Sequence, residues 1–425
     1  MERLVSVLGL FVMLGIAFAL SNNRKRLPWR LIITGVLLQA AFGLLILQTD
    51  LGQGLFGWMR DGVNKFLEFS NEGASFVFGK KLVNEKGSWG LAFFVLPTII
   101  FVSSVMSCLF YLGVMQALVK VLAKAMVWVM DASGSESLAA AANIFMGHTE
   151  APLVIKPYLP TMTESELMAM MTAGMATIAG GVMAAYAGMG VDAGHLLTAS
   201  VMSAPAALVC AKIMVPETQE SPTKGTVKID IPQEDTNIID AACRGAGEGL
   251  KLSLNVGAML IAFVALVFMC NAMLGILPEF NGTPLTFQRI LGWVMAPMAW
   301  LMGCPWEDCE KVGGVLGTRT VLNEFIGYID LSNMRYDISE RSYTIMTYAL
   351  CGFANFGSIA VQIGGVGAMV PERRKDIARL GLKAMIAGTL ASFMTACLAG
   401  LLIADPLTKP VKPEVKAAAT ATTAK

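Results

Sequence analysis

GHTEAPLVIKPYLPTMTESELMAMMTAGMATIAGG, from Gly147 to Gly181, and VLNEFIGYIDLSNMRYDISERSYTIMTYALCGFANFGSI, from Val321 to Ile359, are two versions of one pattern. Each opens with a small segment ending in an amide or hydroxyl residue and a glutamate, Thr149-Glu150 or Asn323-Glu324. A polar loop with Ser-Glu follows, at Ser165-Glu166 and Ser339-Glu340. Then comes an apolar segment interrupted by small or polar residues, Ala176 to Gly181 and Phe353 to Ser358. The apolar flanks of each glutamate are too short to cross a bilayer and return, since each crossing needs about 20 residues. They can dip in and turn at mid-depth as re-entrant hairpins, provided other helices bury the tips.

The rest of the chain supplies such helices. Of its 425 residues 55% are hydrophobic and 15% charged, against about 25% charged in an ordinary soluble protein. Mean hydropathy is +0.62. The charges gather in clusters: Arg24, Lys25 and Arg26; Glu234 and Asp235; Arg373, Arg374 and Lys375. This is the composition of an all-α polytopic membrane protein. It excludes a soluble enzyme and a secreted disulfide scaffold. A net charge of +1 leaves no electrostatic footprint for nucleic acid. With two histidines and no CxxC pair, the eight cysteines read as packing residues rather than metal ligands, and the five-residue spacing of Cys304 and Cys309 is weak evidence for a disulfide.

Eight spanning helices are expected at 4–20, 31–48, 91–117, 163–187, 193–215, 253–276, 344–363 and 378–403. The first reads as a retained helix rather than a cleaved leader, because the positive cluster follows it. That puts both termini outside and all three positive-rich connections inside. Residues 289–304 are too short to span and are expected in the interface, as is the amphipathic stretch 52–69. Residues 216–240 read as a polar connection and 405–425 as a disordered tail. By this topology the two copies of the repeat enter from opposite sides, which is the inverted repeat of a secondary transporter.

Chemistry follows from depth. A carboxylate buried in a membrane is costly, so Glu150 and Glu324 are candidates for binding ions or substrate; the bland alternative is that each caps its own tip. Around Thr177-Ile178-Ala179-Gly180-Gly181, unwound backbone frees carbonyl oxygens. With the Thr177 hydroxyl and the Asn143 amide they make an oxygen-only cage suited to Na⁺. Asn355 and Ser358, three apart, are expected on one helix face near Glu324. Such groups suit a small, neutral substrate rich in hydroxyls and N–H donors; an anion would call for more cations than Arg319. His148 beside Thr149 and Glu150 reads as a ligand more than as a packing residue. An intramembrane hydrolase would need a nucleophile that the chain does not pair with His148, and a channel remains a third reading.

At these residues the chain resembles the concentrative nucleoside transporters, over about residues 1 to 404. The stretches are NIFMGHTEAP (Asn143–Pro152), LNEFI (Leu322–Ile326), GFANFGS (Gly352–Ser358), NEGASFVFG (Asn71–Gly79) and LNVGAML (Leu254–Leu260). The resemblance implies Na⁺-coupled uptake of a uridine-like or adenosine-like nucleoside by a homotrimer in a cell inner membrane. It implies a scaffold within 1–119 and 216–280 and a moving transport domain within 120–215 and 281–404. It places the base beside His148, Thr149, Glu150 and Val182, and the ribose beside Glu324, Asn355 and Ser358, with Phe353 lining the pocket. Its sodium site maps to Asn143, Met146, Thr177 and Ile178. Two positions depart from the pattern. His148 stands where Gln is common, and Thr177 where Ser is common. Gln offers donor and acceptor on one amide, whereas neutral His carries one of each on different nitrogens, which bears on base preference. Thr177 keeps the hydroxyl. Some relatives use protons, so a proton-coupled symporter is the alternative; Asn143 favours Na⁺.

Overall fold

A computed structural model describes residues 2–84, 91–225, 235–280, 282–403, 407–408 and 410. The tail expected over 405–425 therefore lies almost wholly outside the described residues, as does part of the 216–240 connection. The described chain is helical throughout; its only β features are two isolated bridges, Ser133 with Lys224 and Phe280 with Thr283.

Helices α1 (Glu2–Ala19) and α2 (Trp29–Gln48) flank the first basic cluster. Thr49 turns the chain and caps α3 (Asp50–Phe78), accepting the Gly52 N–H at 3.0 Å. A short α4 (Lys80–Asn84) follows. A π-helical turn, Leu91–Val95, opens α5 (Leu96–Tyr111), and Gly113 at φ +78° redirects the chain into α6 (Val114–Met130). The first hairpin comprises α7 (Gly134–Asn143), α8 (Ala151–Val154) and a 3₁₀ turn, Lys156–Thr161. Helices α9 (Glu164–Ala176) and α10 (Gly180–Gly188) are halves of one broken helix, followed by α11 (Ala193–Met214). Then come α12 (Ile238–Leu274) and α13 (Phe287–Leu301). The same order of elements now recurs. Helices α14 (Trp306–Val321) and α15 (Glu324–Asn333) form the second hairpin, α16 (Glu340–Leu350) and α17 (Phe356–Met369) the second broken helix, and α18 (Arg374–Leu402) the long helix after it.

Burial divides the apolar helices into two kinds. The most apolar windows of α9–α10, α11 and the stretch ending in α18 are 94%, 89% and 78% buried, so their apolar residues are core. Those of α1, α2, α5 and α12 are 22%, 28%, 28% and 11% buried, so most of their apolar surface faces outward. Outward apolar faces of that length fit lipid or another subunit, not water. The 37 residues of α12 reach about 55 Å at 1.5 Å per residue, more than a hydrocarbon core of about 30 Å. Its first turns carry Asp240, Arg244, Glu248 and Lys251, and the apolar part begins after them, close to the expected start at 253.

Several expected boundaries change. The span expected at 91–117 ends at Tyr111, because Gly113 adopts a left-handed backbone there. The 344–363 span is two helices of 11 and 14 residues separated at 351–355, neither long enough to cross alone. The stretch 52–69 belongs to a continuous 29-residue helix. The 289–304 segment is α13, held against α14 so closely that a Cβ on Gly313 would lie 2.6 Å from the Gly292 carbonyl oxygen. Helix α6 was not foreseen. The two Ser-Glu pairs are also not equivalent. Ser339 is the N-cap of α16, accepting the Ser342 N–H, whereas Thr163 is the N-cap of α9 and Ser165-Glu166 lies inside its first turn. The repeat is therefore in register Thr163 to Ser339.

Charged networks fasten the base of each hairpin. In the first, Lys212 of α11 meets Glu136 at 2.6 Å and Glu217 at 3.3 Å. Glu166 accepts from Ser135 at 3.0 Å, from Ser221 at 2.5 Å and from the Thr163 N–H at 2.9 Å. In the second, Asp308 accepts from the Ser339 hydroxyl and the Ser342 hydroxyl, each at 2.7 Å. Arg341 donates to the Gly303 carbonyl at 3.0 Å and to the Gly400 carbonyl. Lys212→Met leaves Glu136 buried without its cation and should destabilise the protein by about 3–5 kcal/mol. A fall in the thermal midpoint in detergent, largely reversed in the Glu136→Gln/Lys212→Met double variant, is the expected result.

Candidate functional site

All ten residues of α7 are buried, and a Ser133–Glu136 capping box starts it. At its far end Asn143 donates from Nδ2 to the Ala139 carbonyl at 2.8 Å, back into its own helix. That leaves Asn143 Oδ1 buried with no partner. An unmet buried acceptor costs about 1–3 kcal/mol, so it marks a place where a donor or cation belongs. The chain beyond is tied to the broken helix: the Phe145 carbonyl accepts the Gly180 N–H at 2.9 Å. The break itself is extended, with Thr177 at φ −128°, ψ 170° and Ala179 at φ −69°, ψ 145°. Met146, Thr177 and Ile178 are buried with it. The Thr177 hydroxyl donates to the Ala173 carbonyl at 2.9 Å, which turns its lone pairs outward from that bond. The oxygens available here are hard, neutral and fixed. Among the described residues no group of three or more His, Cys, Asp or Glu gathers to hold a metal, so a hard monovalent cation suits this set better than a transition metal.

His148 lies next on the tip. Its ring meets Phe353 edge-on, centroids 4.9 Å apart. Its backbone comes so close to α9 that a Cβ on Gly174 would lie 2.7 Å from the His148 Cβ. His148 Nδ1 is buried without a partner. The Thr149 methyl packs on Gly365 of α17. Val182 is buried one turn into α10. Glu150 differs from its counterpart. Its residue is exposed, and Oε2 accepts the Gly147 N–H of its own tip at 3.1 Å. The tip-capping alternative thus describes Glu150 in this conformation.

The second tip is held from two sides. Glu324, only 5% exposed, accepts from the Tyr186 hydroxyl at 2.9 Å and from Asn355 Nδ2 at 3.1 Å. Asn323 caps α15 by accepting the Ile326 N–H. Asn355 and Ser358 do not present their side chains from one helical face. Asn355 lies outside α17 as its N-cap, and its Oδ1 accepts the Ser358 N–H at 2.9 Å. A spacing of three is also the N-cap-to-N3 spacing, and the helix start decides between the two.

Two side chains at the site were not foreseen. Tyr186 stands four residues after Val182 on α10 and stacks on Tyr328 at 4.3 Å. Gln362 stands four after Ser358 on α17; it donates to the Met171 carbonyl at 3.0 Å and keeps Oε1 buried and unpartnered. Both lie one helical turn from a residue already chosen, so the i, i+4 rule could have found them.

Three family profiles match the chain: Na⁺ dependent nucleoside transporter N-terminus over residues 8–81, nucleoside recognition (Gate) over 92–193, and Na⁺ dependent nucleoside transporter C-terminus over 195–400. Uncharacterized transporter YutK of Bacillus subtilis is 42% identical over 406 residues, 95% of this chain and 100% of that protein. Solute carrier family 28 member 3 of Mus musculus is 43% identical over 425 residues, 96% of this chain but 60% of that longer protein. Among solved structures, CNTnw in an inward-facing substrate-bound state superposes with a TM-score of 0.88 at 42% identity, covering 95% of this chain and 98% of that one.

Tyr186→Phe removes one of the two donors to Glu324 and leaves a buried carboxylate oxygen unmet. A loss of about 1–3 kcal/mol in thermal stability is expected, with Asn355→Ala behaving alike. A double variant costing clearly less than the sum of the two singles would show that both act on one carboxylate.

Proposed function

This chain belongs to the concentrative, Na⁺-dependent nucleoside transporter family, and from that premise we propose that it is a symporter that draws nucleosides inward down the sodium gradient. Its relatives are transporters and not enzymes. The observation that carries the sodium reading is the buried, unpartnered Asn143 Oδ1 beside the extended break at Thr177. With the Thr177 hydroxyl and the carbonyls of Met146 and Ile178 it provides oxygens that replace part of a sodium ion's hydration shell. No thiol or imidazole takes part, as a hard cation requires.

The substrate reading rests on the two tips together. His148 Nδ1 offers an unmet nitrogen to a base edge, beside Phe353, Thr149, Glu150 and Val182. Glu324, already polarised by Tyr186 and Asn355, presents a carboxylate to ribose hydroxyls, with Ser358 alongside. A carboxylate accepts from two adjacent hydroxyls at once, which a deoxyribose or a bare base cannot supply.

The moving unit carries both hairpins and both broken helices. Helix α5 stays with α12: Ser104 donates to the Ala242 carbonyl at 2.9 Å and Ser253 to the Leu96 carbonyl at 2.8 Å. Those two helices, with α3, form the scaffold of a homotrimer in the inner membrane. Packing favours placing α1 and α2 in the moving unit rather than the scaffold. Ser6 of α1 donates to the Met302 carbonyl at 2.9 Å, and Gln39 of α2 donates to Thr395 of α18 at 2.8 Å in a buried contact. Against the scaffold, α10 presents glycines to larger neighbours, Gly181 facing the Ser103 hydroxyl and Gly188 the Phe94 ring.

Energetically one ion suffices. A charge crossing 100 mV gains about 2.3 kcal/mol and a tenfold gradient adds about 1.4 kcal/mol. Together they support accumulation of a neutral solute on the order of several hundred-fold.

Uptake of radiolabelled uridine and adenosine into proteoliposomes tests the reading, under a Na⁺ gradient, with K⁺ in its place, and under a proton gradient alone. Na⁺-dependent uptake that is lost in Asn143→Ala is expected; uptake driven by protons alone would overturn the coupling. His148→Gln should change the ratio of uridine to adenosine uptake by about 2- to 10-fold, the worth of one hydrogen bond of 0.5–1.5 kcal/mol. An unchanged ratio would remove His148 from the base contact.

A further inference from the structure

Arg319 is the bulkiest fully buried side chain among the described residues, and neither the sodium nor the nucleoside contacts above use it. It lies in the last turn of α14, just before the second tip. Its Nη2 donates to the Gly352 carbonyl at 3.4 Å and to Ser392 Oγ at 3.2 Å. Nε and Nη1 have no hydrogen-bond partner. The Phe393 ring lies 5.9 Å from the guanidinium carbon. Arg319 stands five residues before Glu324, and the hydrogen bonds to that carboxylate come from Tyr186 and Asn355 instead. A guanidinium at 0% exposure, with two of its three nitrogens unmet, is not there for the hydrogen bonds it makes.

Its place in the repeat explains it. In the first repeat, Asn143 ends α7, and the chain after it is bonded to the break that follows α9. In the second, Arg319 lies in the last turn of α14, two residues before its end, and reaches the Gly352 carbonyl, inside the break that follows α16. Both positions combine the negative end of a hairpin helix with freed carbonyl oxygens, which together attract positive charge. At Gly352 a Cβ would lie 2.7 Å from the Met175 carbonyl and 2.9 Å from Ser392 Oγ, so the second break is packed against the end of α9 and against the serine that Arg319 bonds, with no room for a side chain of its own.

We propose that Arg319 is a tethered cation that fills, in the second repeat, the place a sodium ion takes in the first. One repeat draws its cation from solution each cycle, and the other carries its own. Glu324 is thereby charge-balanced before any ion or nucleoside binds, and the second tip needs no second sodium. Arg319 acts through Glu324 and is a positioning residue, not a contact to substrate. The comparison of the two ends rests on the sodium reading proposed above.

The test uses the full-length protein in proteoliposomes with labelled uridine and adenosine as probes. Uptake is followed against Na⁺ concentration in Arg319→Lys and Arg319→Asn, with Arg319→Gln as a closer match in length should the asparagine variant fail to fold. Arg319→Lys keeps the charge, so uptake within about threefold of the parent is expected. Arg319→Asn recreates the Asn143 arrangement. Its uptake should fall more than about tenfold at low Na⁺ and recover at high Na⁺, with the Hill coefficient rising from about 1 toward 2 as a second ion enters. A merely structural arginine would not change that coefficient. Parent-like Na⁺ dependence in Arg319→Asn, or an Arg319→Lys as impaired as Arg319→Asn, would overturn the proposal. A parent protein indifferent to Na⁺ would sink the sodium reading instead, and would leave the lysine-against-asparagine comparison of uptake to judge the tethered charge.

Discussion

Non-helical backbone at membrane depth persists only where protein encloses it and answers its hydrogen bonds. Four stretches of this chain face that demand: two hairpin tips and two interruptions of long helices. They meet it largely by answering one another. The Phe145 carbonyl on the first tip takes the Gly180 N–H at the first interruption. The Gly352 carbonyl in the second accepts a hydrogen bond from Arg319 below the second tip. Asn323 and Asn355 each cap the helix that restarts after their own break. The groups left over, such as Asn143 Oδ1 and His148 Nδ1, are the ones the proposed cargo satisfies. Binding and folding thus draw on the same set of backbone and amide groups.

The distribution of charge complements this. Each hairpin is clamped at its base by ionised networks, through Lys212, Glu136 and Glu166 in one and through Asp308 and Arg341 in the other. Toward the tips the partners are mostly amides, hydroxyls and ring edges, with Glu324 and Arg319 the charged exceptions at the second. Buried ion pairs break at a high cost and neutral hydrogen bonds at a lower one. A hairpin built this way is stiff where it is anchored and adaptable where it closes on a ligand.

Much of this was legible in the sequence because two periodic signals are strong. Runs of apolar residues located α1, α2, α11 and α18 to within a few positions, and the repeat located both tips and both breaks. What escaped depended on local backbone choices that hydropathy does not register. Gly113 ends α5 six residues early by adopting a left-handed conformation. Asn355 stands outside its helix as a cap, because α17 begins at Phe356 and the Asn355 side chain accepts the Ser358 N–H. Helix α6 carries lysines on an otherwise apolar turn pattern and reads as neither span nor loop. Tyr186 was missed for another reason. Its spacing from Val182 could have placed it at the site, but its partner, Glu324, is 138 positions away, and no local pattern names a partner in the other copy of a repeat.

That contact reaches into the history of the molecule. Tyr186 belongs to the first copy of the repeat, and Glu324 and Asn355 to the second. His148 of the first likewise rests on Phe353 of the second. These contacts make the two copies of the repeat inequivalent: each supplies groups that the other needs. A substitution in either half is now judged by what the other has become, so the halves can no longer drift separately or be exchanged with those of a distant cousin.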